Sequence, residues 1–127
     1  MKYLLLIYMQ EQAMNDAERE QCYAKSLRLT EELQENGQYV AAAPLHPVAT
    51  ATSVRVREGK TLVTDGPFAE TREQLGGFYL IEAKDLDEAI AVAERIPPAS
   101  RGIVEIRPMI ELPGLPIGPA KRETSAV

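Results

Sequence analysis

The sequence predicts a single α+β domain of the ferredoxin-like βαββαβ type, with an extra β-hairpin inserted in the middle. First, the run from Tyr3 to Met9 is apolar at every position, which is typical of a buried strand. Second, two segments with helical spacing separate the strand-like segments. Third, a pair of short alternating segments joined by Glu58-Gly59 predicts a hairpin between the two halves. The resulting order is strand, helix, strand, hairpin, strand, helix, strand.

Composition limits the possible functions. The chain has 127 residues, of which 45% are hydrophobic and 26% charged, as expected for one globular domain. Fourteen Lys and Arg against nineteen Asp and Glu give a net charge of −5, and no basic run is present, so nucleic acid is not an expected partner. One cysteine, Cys22, and one histidine, His46, provide no multi-residue metal pattern, so we expect neither a metal nor a cofactor.

The apolar start of the chain is too short to be a membrane span. Its apolar core of about seven residues is also short for a signal peptide, and no small-residue cleavage site follows. We therefore expect a cytoplasmic protein that does not associate with membranes.

The first predicted helix opens at Asn15, where Glu18 completes a capping box, and runs to about Glu35 before the stop signal Asn36-Gly37. Its apolar side is predicted to comprise Ala17, Cys22, Tyr23, Ala24, Leu27, Leu29 and Leu33. The predicted hairpin pairs Ser53–Arg57 with Lys60–Thr64.

The remaining strands are predicted at Gln38–Ala43, Phe78–Ala83 and Ile103–Arg107. A second helix starts at a capping box formed by Asp85 and Glu88 and ends at Pro97-Pro98. We assign residues 1–110 to the folded domain and residues 111–127 to a Pro/Gly-rich C-terminal tail without regular structure.

The unbroken apolar run of the first strand also predicts an assembly. If one face of the sheet met water, this strand would alternate apolar and polar residues, but Leu4 to Ile7 do not. An apolar face left open promotes aggregation. We therefore expect a homodimer with the sheets packed face to face, a dimeric α+β barrel, and a ligand cleft between the sheets.

The most distinctive stretch is Asp65-Gly66-Pro67-Phe68-Ala69-Glu70-Thr71, which continues through Gln74-Leu75-Gly76-Gly77-Phe78-Tyr79. Asp65 is predicted at a strand end before a sharp turn, and the glycine pair predicts a bulge or a close backbone approach. Turn statistics favour an Asp65 that caps its own turn, and the alternative is a general base in an apolar cleft.

These residues, together with the helix start Asp85-Leu86-Asp87-Glu88-Ala89, resemble the YCII-related family and its DGPF subgroup over residues 2–110. The resemblance implies the dimeric ferredoxin-like barrel. Some YCII-like proteins carry a His/Asp pair in a pocket and perform dehalogenation or lyase-type chemistry on small aromatic compounds, and DGPF-type proteins are often linked to extracytoplasmic-function sigma factors. The aspartate corresponds to Asp65. The family histidine lies on the first helix, where this chain has none, and His46 follows the second strand instead.

Candidate site residues follow from these observations. Asp65 and His46 are the candidate catalytic residues, and Gly66, Pro67, Phe68 and Tyr79 are the candidate ligand-binding residues. For His46 the alternative is a loop residue in a bend between two prolines. For Tyr79, Tyr8 and Cys22 the alternative is a place in the core, and for Arg55, Arg57 and Arg107 it is a solvated strand face.

Two functions from different classes are compatible with this pattern. The first is a cofactor-independent lyase or isomerase that acts on a small organic molecule, with Asp65 as the acid–base residue. The second is a non-catalytic ligand-binding or regulatory module associated with a sigma factor.

Overall fold

The computed structural model describes residues 1–116. Its strands are β1 (Lys2–Met9), β2 (Tyr39–Pro44), β3 (Thr52–Arg57), β4 (Lys60–Asp65), β5 (Gln74–Glu82) and β6 (Ile103–Pro108). Its helices are α1 (Asp16–Glu35) and α2 (Leu86–Glu94), and short 3-10 turns occupy Glu11–Ala13, Val48–Thr50 and Pro97–Ser100.

Four strands form an antiparallel sheet in the order β2-β5-β1-β6. Strand β1 is bonded on both sides, to β5 through pairs such as Leu5 with Tyr79, and to β6 through pairs such as Leu5 with Ile106. Without the β3–β4 hairpin, this order and the two intervening helices make the ferredoxin-like arrangement that the sequence predicts.

The two faces of the sheet differ in burial. On the helix-covered face, Tyr3, Leu5 and Ile7 of β1 join one core cluster with residues of both helices. The opposite face, here called the open face, carries half-buried apolar side chains from the two central strands, namely Leu4, Leu6, Tyr8, Phe78 and Leu80. In the single chain, β1 is therefore fully buried only on the helix-covered face of the sheet, and not on both faces as predicted.

Helix α1 begins and ends as predicted. Asn15 accepts a hydrogen bond from the Glu18 backbone N–H at 2.8 Å, and the Glu18 side chain accepts one from the Asn15 N–H. Gly37 follows the helix with φ of 71°, the left-handed conformation that suits glycine. The predicted apolar side was too broad, because only Cys22, Leu29 and Leu33 are buried.

Helix α2 begins at the predicted cap residue but ends earlier than predicted. Asp85 accepts a hydrogen bond from the Glu88 N–H at 2.9 Å, but the structure shows this half of the capping box alone. The helix ends at Glu94, before the two prolines, which lie in the following 3-10 turn. Neither proline can extend α2, because proline has no backbone N–H to donate to the carbonyl four residues earlier.

The β3–β4 hairpin closes as predicted. Glu58 and Gly59 form its turn with φ of 52° and 74°, which matches the right-handed twist of the paired strands. All of its larger apolar side chains are exposed, namely Val54, Val56, Leu62 and Val63.

The predicted glycine bulge is present in β5. The β1–β5 register passes from Ile7 opposite Gly77 to Tyr8 opposite Leu75, so Gly76 is the extra residue. Gly77 lies against the neighbouring strand, where an added Cβ would sit 2.9 Å from the Ala43 carbonyl oxygen. The two glycines therefore have different roles, one in the bulge and one in a close strand approach.

Residues after β6 carry no helix or strand as far as residue 116, and this segment is exposed. The rest of the predicted tail, residues 117–127, lies outside the described residues, and the domain boundary at residue 110 stays a prediction. In the described range, no helix is both long enough and apolar enough to cross a membrane.

We predict that Gly77→Ala destabilises the protein by about 1–3 kcal/mol, since its methyl group would overpack the backbone of β2. Gly76→Ala is the matched control, because its Cβ would meet no atom closer than 4.0 Å. Urea unfolding of both variants checks this, and equal losses of stability in the two would contradict the assigned strand approach.

Candidate active site in a cavity beneath helix α1

A cavity of about 800 Å³ lies between α1 and the adjoining ends of β2 and β5. It lies on the helix-covered face of the sheet, whereas the sequence analysis expected a cleft on the open face. Its aromatic and sulfur-containing side chains on that face are Met9, Met14, Cys22, Tyr23, Tyr39 and Tyr79. A volume of this size is within the range of small-molecule sites, roughly 300–1,000 Å³.

Small side chains on both sides account for the cavity. Helix α1 presents Cys22 and Ser26 to it, and the strands below present Ala42 and the glycine pair of the bulge. Farther along α1, Leu29 and Leu33 are buried in the core and fill the equivalent space. Leu27, predicted on the apolar side of α1, is exposed and lies at the rim of the cavity.

Tyr79 links the sheet to α1 across this space. Its ring is only 4% exposed, and its hydroxyl donates to the Ser26 carbonyl oxygen at 3.2 Å. Burial raises the pKa of Tyr79, and burial also raises the pKa of the Cys22 thiol in the same lining. Both groups are therefore neutral at pH 7. Tyr79 lines the cavity, and its hydroxyl also has the protein hydrogen-bond partner that is expected of a core tyrosine.

His46 lies at the cavity, on the segment that follows β2. The preceding residue, Leu45, donates its N–H to the Gly76 carbonyl oxygen at 2.9 Å, which extends the pairing with β5 by one residue. The His46 side chain is exposed and lines the cavity together with the flanking Pro44 and Pro47. The bend between two prolines thus brings the histidine to the cavity.

Asp65 lies at the end of β4, as predicted, but its side chain is exposed and does not line the cavity. Its turn is held by other groups: Gly66 N–H donates to the Ala51 carbonyl oxygen at 2.7 Å, and Ser53 Oγ donates to the Gly66 carbonyl oxygen at 2.7 Å. The interpretation of Asp65 as the cap of this turn was therefore wrong for the described chain, where Ser53 has that role.

The other candidates from the motif lie with Asp65. Gly66, Pro67 and Phe68 are outside the cavity lining, and the Phe68 ring is 89% exposed. The structure thus brings His46 and Tyr79 to one cavity and leaves Asp65, Gly66, Pro67 and Phe68 elsewhere. Their roles in catalysis and binding stay predictions.

Sequence reasoning missed two charged residues that line the same cavity as His46. Glu11, which Gln10 separates from the end of β1, lines the cavity, and its carboxylate accepts from the Val48 N–H at 3.2 Å and 3.3 Å. Arg19 of α1 also lines the cavity and pairs with Asp16 at 3.1 Å. Neither lies in a recognisable motif, and the bond from Glu11 joins residues 37 positions apart.

Ion pairs attach both ends of α1 to the segment that follows α2. Arg101 pairs with Glu18 near the helix start, and Arg95 pairs with Glu32 near its end. The Asn15 backbone hydrogen bond, together with Arg101, lowers the pKa of Glu18. Among residues 1–116, no group of three or more His, Cys, Asp or Glu side chains is placed to hold a metal ion.

The fold and cavity define a class: a ferredoxin-like α+β subunit with room for a small ligand. Residues 1–113 match the family model of the YCII-related domain. The chain therefore belongs to the YCII-related family.

The chain is also similar to two individual proteins. The chain is 48% identical over 79 residues to an uncharacterised protein of Rhizobium meliloti (strain 1021), covering 56% of this chain and 64% of that relative. It thus spans less than two thirds of the relative's length.

A solved structure shares the fold. It is the 5-chloro-2-hydroxyhydroquinone dehydrochlorinase TftG from Burkholderia phenoliruptrix AC1100, in complex with 2,5-dihydroxybenzoquinone. The similarity has a TM-score of 0.52 at 17% sequence identity, and it covers 87% of this chain and 94% of the other.

We predict that the Tyr79 phenol titrates above the ordinary pKa of tyrosine, because burial disfavours its ionised form. Its titration is measured as the difference between the wild type and Tyr79→Phe. As pH rises, the unfolded chain releases this proton first, so the free energy of unfolding falls between the unfolded and folded pKa values. Tyr79→Phe removes that part of the alkaline loss of stability. Spectrophotometric titration near 295 nm and alkaline urea unfolding measure both effects.

Tyr23→Phe is the control, since it removes the phenol of an exposed tyrosine. If the absorbance difference between wild type and Tyr79→Phe titrates at the ordinary value, the burial of this hydroxyl is contradicted.

Proposed function

We propose that this protein is a cofactor-independent enzyme of lyase or isomerase type that acts on a small organic molecule in the cavity beneath α1. The observation that carries the proposal is the position of His46, a histidine at an apolar cavity of about 800 Å³. Histidine is the side chain best suited to proton transfer near neutral pH.

The lining supports a flat, largely apolar substrate. Aromatic and sulfur-containing side chains suit an aromatic ring, and few polar groups remain to orient it. The Tyr79 hydroxyl is already bonded to Ser26, and the Glu11 carboxylate to Val48, whereas no hydrogen bond holds the His46 imidazole within the described chain. His46 is therefore the group free to meet a ligand.

The proposed chemistry needs only proton transfer. A ring nitrogen of His46 accepts a proton from a hydroxyl or acidic carbon of the substrate. In a lyase reaction the electron pair left behind forms the new double bond as an anion departs. In an isomerase reaction the imidazolium returns the proton at another carbon. Neither route requires an oxidant or a bound cofactor.

Asp65 remains the second proposed acid–base residue. Its carboxylate is exposed, and no hydrogen bond to it is present in residues 1–116, so it is available to a ligand or to a neighbouring subunit. Gly66, Pro67 and Phe68 would then form part of that contact. The position of His46 at the cavity nevertheless makes it the stronger candidate.

The comparisons support the substrate class. The structural neighbour is named as a dehydrochlorinase, and its bound molecule is a dihydroxybenzoquinone. An elimination of this kind belongs to the lyase class, and a single aromatic ring is well within the size of the cavity. For this chain, hydroxylated aromatic compounds are therefore the first substrates to test.

A second candidate function is a non-catalytic ligand-binding or regulatory module, associated with a sigma factor as in the DGPF subgroup. The position of Asp65 outside the cavity favours it, since the predicted pair of acid–base groups does not meet within one chain. This alternative predicts binding in the cavity without turnover.

We further propose a homodimer, active in the cytoplasm, with the open faces of two sheets packed together. Half-buried Leu4, Leu6, Phe78 and Leu80 leave an apolar surface on a protein of only 127 residues. The exposed valines of the β3–β4 hairpin add a second apolar surface. Contact with a second copy would remove both from water.

We predict that 2,5-dihydroxybenzoquinone binds the protein and that 5-chloro-2-hydroxyhydroquinone releases chloride in its presence. His46→Gln should lower the turnover rate by roughly 10²–10⁴-fold, the usual contribution of a general acid–base residue. Asp65→Asn should lower turnover while leaving stability nearly unchanged, because Ser53 holds its turn. Calorimetry measures binding, and a chloride electrode measures turnover.

Glu20→Gln, at an exposed position on α1, is the control variant. If the wild type binds the quinone but releases no chloride from 5-chloro-2-hydroxyhydroquinone or from other halogenated phenols, the non-catalytic module is favoured. Full turnover in His46→Gln would refute the role of this histidine.

We predict a dimer in sedimentation experiments at micromolar concentration. Leu6→Glu places an unpaired charge at the centre of the open face, which should cost about 3 kcal/mol and weaken dimerisation more than a hundredfold. Leu86→Glu, at an exposed position in the first turn of α2, is the control and should leave the dimer intact. A monomeric wild type at that concentration would contradict the barrel assembly.

A further inference from the structure

We infer that Glu11 is a positioning residue that holds His46 at the cavity, and that Gln74 connects the same point to the Asp65–Thr71 motif. This inference rests on the proposed function, because it assigns Glu11 and Gln74 a role in the site of which His46 is the acid–base group.

Glu11 connects four parts of the chain. It begins the 3-10 turn that follows β1 after Gln10, and its carboxylate accepts from the Val48 N–H. Its own N–H donates to Gln74 Oε1 of β5 at 3.1 Å, and its carbonyl oxygen accepts from Arg19 Nη2 of α1 at 3.4 Å. Its carboxylate, amide and carbonyl groups are thus all bonded to different elements around the cavity.

The Glu11 carboxylate binds the backbone of the segment that carries His46. That segment leaves β2 after Pro44, and its Leu45 N–H is bonded to Gly76. Three residues later, the Val48 N–H opens the 3-10 turn and is bonded to Glu11. His46 and Pro47 lie between these two anchors, so the position of the imidazole depends on both.

A carboxylate is well suited to this bond. The Val48 N–H begins a 3-10 turn, where the first backbone N–H groups have no partner inside the turn. A charged acceptor strengthens such a bond to roughly twice the strength of a neutral one. The Glu11 side chain is partly buried, which limits competition from water.

Gln74 extends the network to the motif. Its side-chain nitrogen donates to the carbonyl oxygens of Thr71 at 2.8 Å and Arg72 at 3.4 Å, while its oxygen accepts from the Glu11 N–H. One amide side chain thus binds both the end of the 66–73 connection and the residue that holds the His46 segment. The motif and the histidine are linked through Gln74 and Glu11.

The test compares Glu11→Ala, which removes the acceptor, with Glu11→Gln, which keeps an oxygen of similar reach. Hydrogen exchange of the Val48 amide, followed by NMR, reports the bond directly and needs no ligand. We expect exchange to accelerate on the order of tenfold or more in Glu11→Ala, the effect of losing a charge-assisted hydrogen bond. Glu11→Gln should recover most of the protection, and Glu20→Ala should match the wild type.

A second measurement separates positioning from general stability. 2,5-Dihydroxybenzoquinone is titrated into each variant, and the imidazole resonances of His46 are followed together with urea unfolding. We expect the quinone to shift the His46 resonances in wild type and in Glu11→Gln. In Glu11→Ala this shift should be weak or absent under conditions where the urea unfolding curve shows that the variant is folded.

The two ideas fail in different ways. Unchanged Val48 exchange and an unchanged His46 response in Glu11→Ala would overturn the positioning role while leaving the proposed enzyme intact. If the quinone and other hydroxylated aromatics bind no variant, the proposed function is overturned, and faster Val48 exchange in Glu11→Ala would still establish Glu11 as the anchor of this segment.

Discussion

The cavity depends on the way helix α1 is attached to the rest of the chain. Leu29 and Leu33 pack its second half into the core, and the ion pair of Glu18 with Arg101 holds its first half against the segment after α2. Between these attachments the facing residues are small, so the helix spans a space that it does not fill. Protein interiors are normally packed as densely as organic crystals, so an opening of this size requires rigid supports on its sides. The bond from Tyr79 to Ser26 is one such support across the opening.

The sequence predicts the parts of this fold that depend on near neighbours in the chain. The capping box of Asn15 and Glu18, the stop at Gly37 and the turn at Glu58-Gly59 each involve residues within a few positions, and each is confirmed. Leu27 shows where this reasoning ends. Its spacing predicts a position on the apolar side of α1, but whether a helix face meets a filled core or a cavity depends on the strand residues opposite, here alanines and glycines. Periodicity in α1 alone contains no information on those residues.

The candidate site was only partly predictable for the same reason. The motif directed attention to Asp65, but several of its residues have structural roles instead: Gln74 binds the backbone of Thr71 and Glu11, and Gly77 allows β2 to approach β5. The position of His46 at the cavity depends on the bond between Glu11 and Val48, and the link from Glu11 to Gln74 spans 63 positions. Contacts at such separations follow from the strand order and cannot be read from local patterns.

The electrostatics of the cavity favour proton transfer over covalent catalysis. The thiolate, not the thiol, is the nucleophilic form of cysteine, and burial raises the pKa of Cys22, so this side chain stays protonated. The Tyr79 hydroxyl is likewise kept neutral, and its proton is directed at Ser26. Glu11 and Arg19 are bonded to the protein. An incoming ligand would therefore meet apolar and aromatic surface and one imidazole. In the proposed enzyme, specificity would come from the shape of this lining, and His46 would carry the proton transfer.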